Sequence, residues 1–210
     1  MPGADALYIL GDLFEYWVGD DSLELPLPSQ AATLLKDTAS RIPTYFMHGN
    51  RDFLVARRFS EATGVRLLED PTIVDLHGTR TVLLHGDTLC TDDHAYQSFR
   101  TKVRDPAWQA AALAQPLGTR VAIAQQMRLE SEGAKQGKAS DIMDVSASAV
   151  ERAFAECDCT AMIHGHTHRP GRHVYRVNGR ECVRWVLPDW YEAGGYLEAS
   201  PEGVRAIEVG

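Results

Sequence analysis

Cysteine is scarce in this sequence, with four in 210 residues, and two of them, Cys157 and Cys159, stand one residue apart. That count and spacing exclude a disulfide framework and fit a reducing compartment. Long apolar runs are missing as well. None approaches the roughly 18 residues a spanning helix needs, and the N-terminus has neither the basic start nor the apolar stretch of a secretion signal. Basic charge is short: 21 Lys and Arg stand against 29 Asp and Glu, for a formal net charge of −8. A nucleic-acid binder normally carries a basic field, so that class is excluded, and an anionic substrate must meet local positive charge instead. No repeat, low-complexity tract or linker interrupts the chain. Its 44% hydrophobic content is ordinary for one globular domain over residues 1–210.

What the sequence does contain is short apolar runs alternating with helical patterns, the signature of an α/β fold. ALYILGD (residues 6–12), IPTYFMHGN (42–50), RTVLLHGD (80–87) and TAMIHGHTH (160–168) read as buried strands, each ending in Gly beside Asp, Asn or His. Between the first two, Ser29 is expected to cap a helix with Ala32, Leu35 and Ala39 on one face, completing a βαβ crossover. The segment from about His94 to Asp158 reads as helical, a helical insertion at about 94–138 followed by a helix returning to the sheet. Beyond Pro170 the pattern predicts antiparallel strands with turns at Asn178-Gly179 and Gly194-Gly195.

The strand ends carry the chemistry, because ligands of open α/β sheets bind at the carboxyl ends of the strands. Those ends present Asp12, Asn50, His85 and the HGHTH run from His164 to His168. A lone GD is usually a turn and a lone histidine usually a satisfied core residue. Repeated on successive strand ends, they form a carboxylate, amide and imidazole set suited to divalent Mn, Fe or Zn. The cysteines join it in no spacing typical of structural zinc. His164 is expected to pack or hydrogen-bond, leaving His166 and His168 to face metal. A di-metal phosphoesterase site is the natural reading.

The series GDLF, GNRD, HGDTLCTDD and HGHTHRP resembles the calcineurin-like metallophosphoesterase superfamily. More narrowly, YILGDLFEYWVGDD, YFMHGNRDFL, LLHGDTLCTDDHAYQSFR, KASDIMDV and MIHGHTHRP resemble the UDP-2,3-diacylglucosamine hydrolases of lipid A biosynthesis. The resemblance implies an αββα sandwich of mixed sheets flanked by helices, with a helical lid. It implies two divalent ions, taken as Mn²⁺, with Asp12 bridging them, Asn50, His85 and His166 completing one site, and His168 serving the other. Family members begin with a strand ending in DxH, which is missing here. The fold is therefore expected without its first strand, the second ion with an incomplete ligand set, and this form of the chain with little activity.

The resemblance assigns Asp12, Arg51 and His166 to catalysis, with Arg51 stabilising charge on the attacked phosphate. It assigns Asn50, Arg51, Asp93, Tyr96, Arg128, Ser131, Lys135, Lys138 and His166 to the substrate. The implied reaction is hydrolysis at the α-phosphate of the acylated UDP-sugar to UMP and 2,3-diacylglucosamine 1-phosphate. Two alternatives stand beside it: an inactive metal-binding product, and a phosphodiesterase for a soluble nucleotide. Trp108, Ala111, Leu113, Leu117, Val121 and Ile123 are expected to offer apolar surface to acyl chains. Trp17 fits either the site or the core. A lipid substrate implies a cytoplasmic protein lying on the inner membrane surface, helped by Arg100, Lys102, Arg104 and Arg120, with no obligate protein partner.

Overall fold

A computed structural model of the chain describes residues 3–136, 144–191 and 194–209. They divide into two units, one built from Met1–Glu69 with His94–Ser140 and the other from Asp70–Asp93 with Asp141–Gly210.

In the first unit the apolar runs become β1 (Leu7–Ile9), β2 (Thr44–Met47) and β3 (Arg66–Leu68), parallel and in that order. β1 is an edge of this sheet, so its residues are half-buried rather than buried as its sequence predicts. α1 (Pro26–Ala39) crosses from β1 to β2, and α2 (Arg57–Thr63) from β2 to β3. Ser29 does not cap α1: the helix starts a turn earlier, with Leu25 at the cap and Pro26 behind it. Proline at the first helical position has no amide left to satisfy and a φ already set for helix, which offsets the lack of a side-chain cap. The expected face is nonetheless the one that packs, with Ala31, Leu35 and Ala39 lying against Phe14, Trp17, Phe46, Leu54, Val55, Phe59 and Val65. Phe46 and Phe59 are fully buried, each contributing about 1.5–3 kcal/mol. Trp17 belongs to this core: it is 2% exposed, its ring lies 5.3 Å from that of Phe59, and its indole donates to Asp20 Oδ1 at 3.1 Å.

The helical insertion forms α3 (His94–Val103), α4 (Pro106–Leu113) and α5 (Leu117–Gln136) in the same unit. Asp105 caps α4, accepting from the Trp108 amide at 2.9 Å, and again a proline follows the cap. α5 is fastened to the segment after β1 by Arg120. Its guanidinium donates to Val18 O and grips the Asp21 carboxylate with both nitrogens, while its Nε donates to Gln115 O at 2.8 Å. Arg104 is also committed internally, donating to Gly49 O at 3.0 Å and lying over the Phe53 ring. The expectation that Arg120 serves a membrane surface is therefore corrected: it is 8% exposed, and its guanidinium is committed to Val18, Gln115 and a bidentate pair with Asp21.

The second unit holds a five-stranded sheet, β4 (Thr72–Leu76), β5 (Thr79–Leu84), β6 (Ala161–His164), β8 (Arg180–Val186) and β7 (Gly171–Val177), in that spatial order. The central three strands are parallel, and each edge is the partner of a tight hairpin. Those hairpins turn at His77-Gly78 and at the predicted Asn178-Gly179, each pair having positive φ, as the two-residue turns that match strand twist require. α6 (Ala147–Cys157), capped by Ser146, returns the chain to β6. Val82, Leu84, Val150, Phe154 and Met162 fill the core beneath. The predicted turn at Gly194-Gly195 is absent. Those residues open β9 (Gly194–Ser200), which pairs antiparallel with β10 (Gly203–Val209). They are glycine for proximity, since a Cβ on Gly195 would lie 2.8 Å from Pro188 Cγ and one on Gly194 2.9 Å from the Trp190 ring. Among the described residues no helix is long and apolar enough to cross a membrane.

Candidate metal centre and active site

In the first unit two loops meet at the carboxyl ends of β1 and β2. Gly11 and Asp12 both have positive φ, so the chain turns sharply as β1 ends. The second loop carries Gly49, Asn50, Arg51 and Asp52. A Cβ on Gly49 would run into the carboxylate and amide of Asp12, so only glycine lets the loops approach this closely. Asp52 fastens them together. It is fully buried, and its carboxylate accepts from the amides of Asp12 at 3.2 Å, Leu13 at 2.8 Å, Phe14 at 3.4 Å and Gly49 at 2.8 Å. Asp12 is presented in turn by Arg51, whose amide donates to Asp12 Oδ1 at 3.0 Å and whose Nε lies 3.6 Å from Oδ2. Arg51 also pairs through Nη1 with Glu15 Oε2 at 3.0 Å, and Arg128 of α5 reaches that same oxygen at 2.6 Å.

In the second unit His85 directly follows β5 and is 1% exposed, and its ring lies 5.0 Å from that of His166 in an edge-on arrangement. The amide of Gly165 donates to His85 O at 2.9 Å, joining the two strand ends. His164 is fully buried with both ring nitrogens engaged, Nε2 with Arg184 Nη1 at 2.9 Å and Nδ1 with Gly165 O at 2.8 Å. Because arginine only donates, Nε2 accepts and Nδ1–H donates, so His164 is a neutral ring with one fixed tautomer. Burial, reinforced by the Arg184 charge, pushes its pKa down to about 3 against the raising effect of the Gly165 carbonyl. It packs and hydrogen-bonds, as its sequence predicts. His168 Nδ1 lies 3.4 Å from Asp189 Oδ2, the type of carboxylate contact that orients a metal-binding imidazole.

The backbone marks these residues independently. Among the described residues six that are not glycine have positive φ, and Asp12, His166 and His168 are three of them. That conformation costs an L-residue about 1–2 kcal/mol, and such strain persists where a site demands a particular side-chain direction. Donor chemistry agrees, since carboxylate, amide oxygen and neutral imidazole suit a borderline divalent ion. Cys90 is no rival nucleophile, because burial first, and then the nearby Asp87, raise its thiol pKa to about 12.

Of the other residues assigned to substrate, Asp93 is buried, Asn50, Tyr96 and Arg128 are half-buried and Ser131 is exposed. Lys135 lies in α5, and Lys138 lies outside the described residues. Of the apolar insertion residues, Leu113 and Ile123 are exposed at 43% and 49%. The sequence reading missed Asp52, Glu15, Asp189 and Arg184. The first two lie within the quoted motifs GNRD and GDLFEYW, but as carboxylates whose partners are remote in sequence they give no periodic signal.

A mixed α/β architecture of sheets flanked by helices, with acid, amide and imidazole donors at the strand ends, defines a metal-dependent phosphoesterase. The family model described as calcineurin-like phosphoesterase matches residues 2–170, and the chain belongs to that family. Its curated relatives bear a narrower name. A UDP-2,3-diacylglucosamine hydrolase of Xanthomonas axonopodis pv. citri is 49% identical over 216 residues, covering 100% of this chain and 87% of that protein. Another, from Aromatoleum aromaticum, is 52% identical over 195 residues, covering 91% of this chain and 78% of that protein.

Proposed function

We propose that the chain hydrolyses UDP-2,3-diacylglucosamine at the α-phosphate to UMP and 2,3-diacylglucosamine 1-phosphate, a step of lipid A biosynthesis. The observation that carries this reading is the identity of 49% across 100% of the chain to a relative named for that hydrolysis. The calcineurin-like family implies divalent metal, and the donor set with its left-handed Asp12, His166 and His168 fits such ions. Asp12, Asn50, His85 and His166 would hold one ion and His168 would serve a second; Mn²⁺ is the proposed metal. When bound, the ions supply an activated water and neutralise charge on the phosphate.

The chain's own residues bind and orient the substrate. Arg51, held by Asp12 and Glu15, offers a planar donor fork to oxygens of the attacked phosphate, where charge grows most. Arg128 meets the same Glu15 oxygen and serves the neighbouring phosphate. Asn50, Asp93, Tyr96, Ser131, Lys135, Lys138 and His166 complete the set proposed to hold the sugar phosphate and nucleotide. The exposed Leu113 and Ile123 give acyl chains apolar contact, and substrate drawn from a bilayer places the protein on the cytoplasmic face of the inner membrane. The test is release of UMP from the diacylated UDP-sugar in Mn²⁺, measured for the 210-residue chain, expected to be the slower, and for a form extended at its N-terminus with a strand ending in DxH, in which the variants are compared. Loss of that release with Asp12→Ala is expected, whereas equal turnover of simple soluble phosphodiesters would contradict the reading.

A further inference from the structure

The Glu15 carboxylate sits where two guanidinium groups converge, and neither its sequence position nor its exposure accounts for that. Nη1 of Arg51 and Nη2 of Arg128 approach the same oxygen, Oε2, at 3.0 and 2.6 Å. Arg51 is 10% exposed, Arg128 26% and Glu15 50%. An ion pair this open to water contributes little to stability. Two like charges brought together repel unless an anion stands between them, and Glu15 supplies that anion. The helix carrying Arg128 is fastened independently, since Arg120 grips Asp21 and Gln125 Nε2 donates to Tyr16 OH at 3.5 Å. Glu15 is therefore not the sole tie of α5, and its contacts with Arg51 and Arg128 fix where the two cationic side chains point.

We propose that Glu15 is a positioning residue that holds Arg51 and Arg128 together at one oxygen, as a two-armed receptor for the phosphate oxygens of the substrate. The proposal rests on the reading of Arg51 and Arg128 given above. Each guanidinium is a planar fork of five N–H donors, and their meeting at Glu15 Oε2 sets the spacing of the two forks before an anion arrives. Glu15 also halves the positive charge of the pair, so that phosphate binds without being held so tightly that product stays.

The test combines UMP binding, measured by calorimetry, with turnover of the diacylated UDP-sugar, for the wild-type chain, Glu15→Gln, Arg128→Ala and the double variant, all in Mn²⁺. For UMP affinity the two substitutions are expected to be coupled by about threefold or more, as for residues in direct contact. In turnover Glu15→Gln is expected to lower kcat about 10-fold while KM shifts by less than about threefold, the mark of lost orientation rather than lost binding. Its melting temperature should match that of the wild type. Additive effects on UMP affinity, or a Glu15→Gln protein indistinguishable from wild type, would overturn the proposal. Coupled UMP binding by a wild-type chain that leaves the diacylated sugar intact would instead overturn the substrate assignment and leave the role of Glu15 standing. Failure of the wild type to bind UMP would overturn both.

Discussion

Asp52 shows how much one side chain decides here. Four backbone amides, three from the loop after β1 and one from Gly49, point at its two oxygens in a fully buried position. An Asn side chain keeps one acceptor oxygen and turns a donor toward the remaining amides. Asp52→Asn is thus expected to cost on the order of 3 kcal/mol, because buried donors left unmet are expensive, with urea denaturation as the measurement. Arg51 acts differently: its contacts with Asp12 and Glu15 sit at the surface of the site. Arg51→Ala is expected to lower kcat about 100-fold, as for loss of a charge-stabilising donor, with metal content per chain unchanged by elemental analysis. An unchanged kcat would remove Arg51 from the mechanism. Asp12, Asn50, His85 and His166 were legible as candidate ligands in the sequence because each stands beside glycine at the end of an apolar run, and His168 because it closes the HGHTH run. Asp52 was not, because its amide partners among Asp12 to Phe14 lie 38 to 40 residues away, a distance no local pattern spans.

At the scale of elements, the attachment of the helical insertion is the point most open to test. Arg120 is a buried anchor, donating to Val18 O, Gln115 O and Asp21. Arg120→Ala is expected to speed proteolysis and amide exchange within residues 94–136 well before the β1–β2–β3 sheet opens, since the insertion buries little apolar surface of its own; no residue of α4 is buried. The Arg120 hydrogen bond holds the Asp21 carboxyl below its ordinary value. A carboxylate depressed on folding stabilises fully above its unfolded pKa of about 3.9 and loses that contribution as pH falls through the lower folded value. Protease resistance of the insertion should therefore be level from neutral pH down to about pH 5 and fall below about pH 4, and Asp21→Asn should flatten that fall. Pattern alone gave the strands at 7–9, 44–47, 79–84 and 161–164 and the Asn178-Gly179 hairpin. It misread Gly194-Gly195, because glycine chosen for close approach to Pro188 and Trp190 looks the same in sequence as glycine chosen for a turn. It also missed β3 and β4, of three and five residues, whose apolar alternation is too brief to stand out from the loops around them, and β10, where Arg205 and Glu208 interrupt the apolar pattern.

For the whole molecule, a formal charge of −8 coexists with a proposed anionic substrate only because Arg51 and Arg128 concentrate positive charge locally. The net charge argued against a nucleic-acid partner, yet said nothing of where the cations would gather; that required the folded positions of Glu15, Arg51 and Arg128. The exposed apolar residues of the insertion, Leu113 and Ile123, are proposed to carry the other half of substrate choice. Ile123, 49% exposed, when replaced by Asp should raise KM for the diacylated substrate by about 10-fold or more, since burying a large aliphatic side chain contributes about 1.5–3 kcal/mol, with kcat little changed in steady-state kinetics. The central claim, metal-dependent attack by water on the α-phosphate, is tested most directly by running the reaction in ¹⁸O-water with Mn²⁺ and weighing both products. The account predicts one ¹⁸O in UMP, none in 2,3-diacylglucosamine 1-phosphate, and no reaction once the metal is chelated. Label in the sugar phosphate, or turnover that survives chelation, would contradict it.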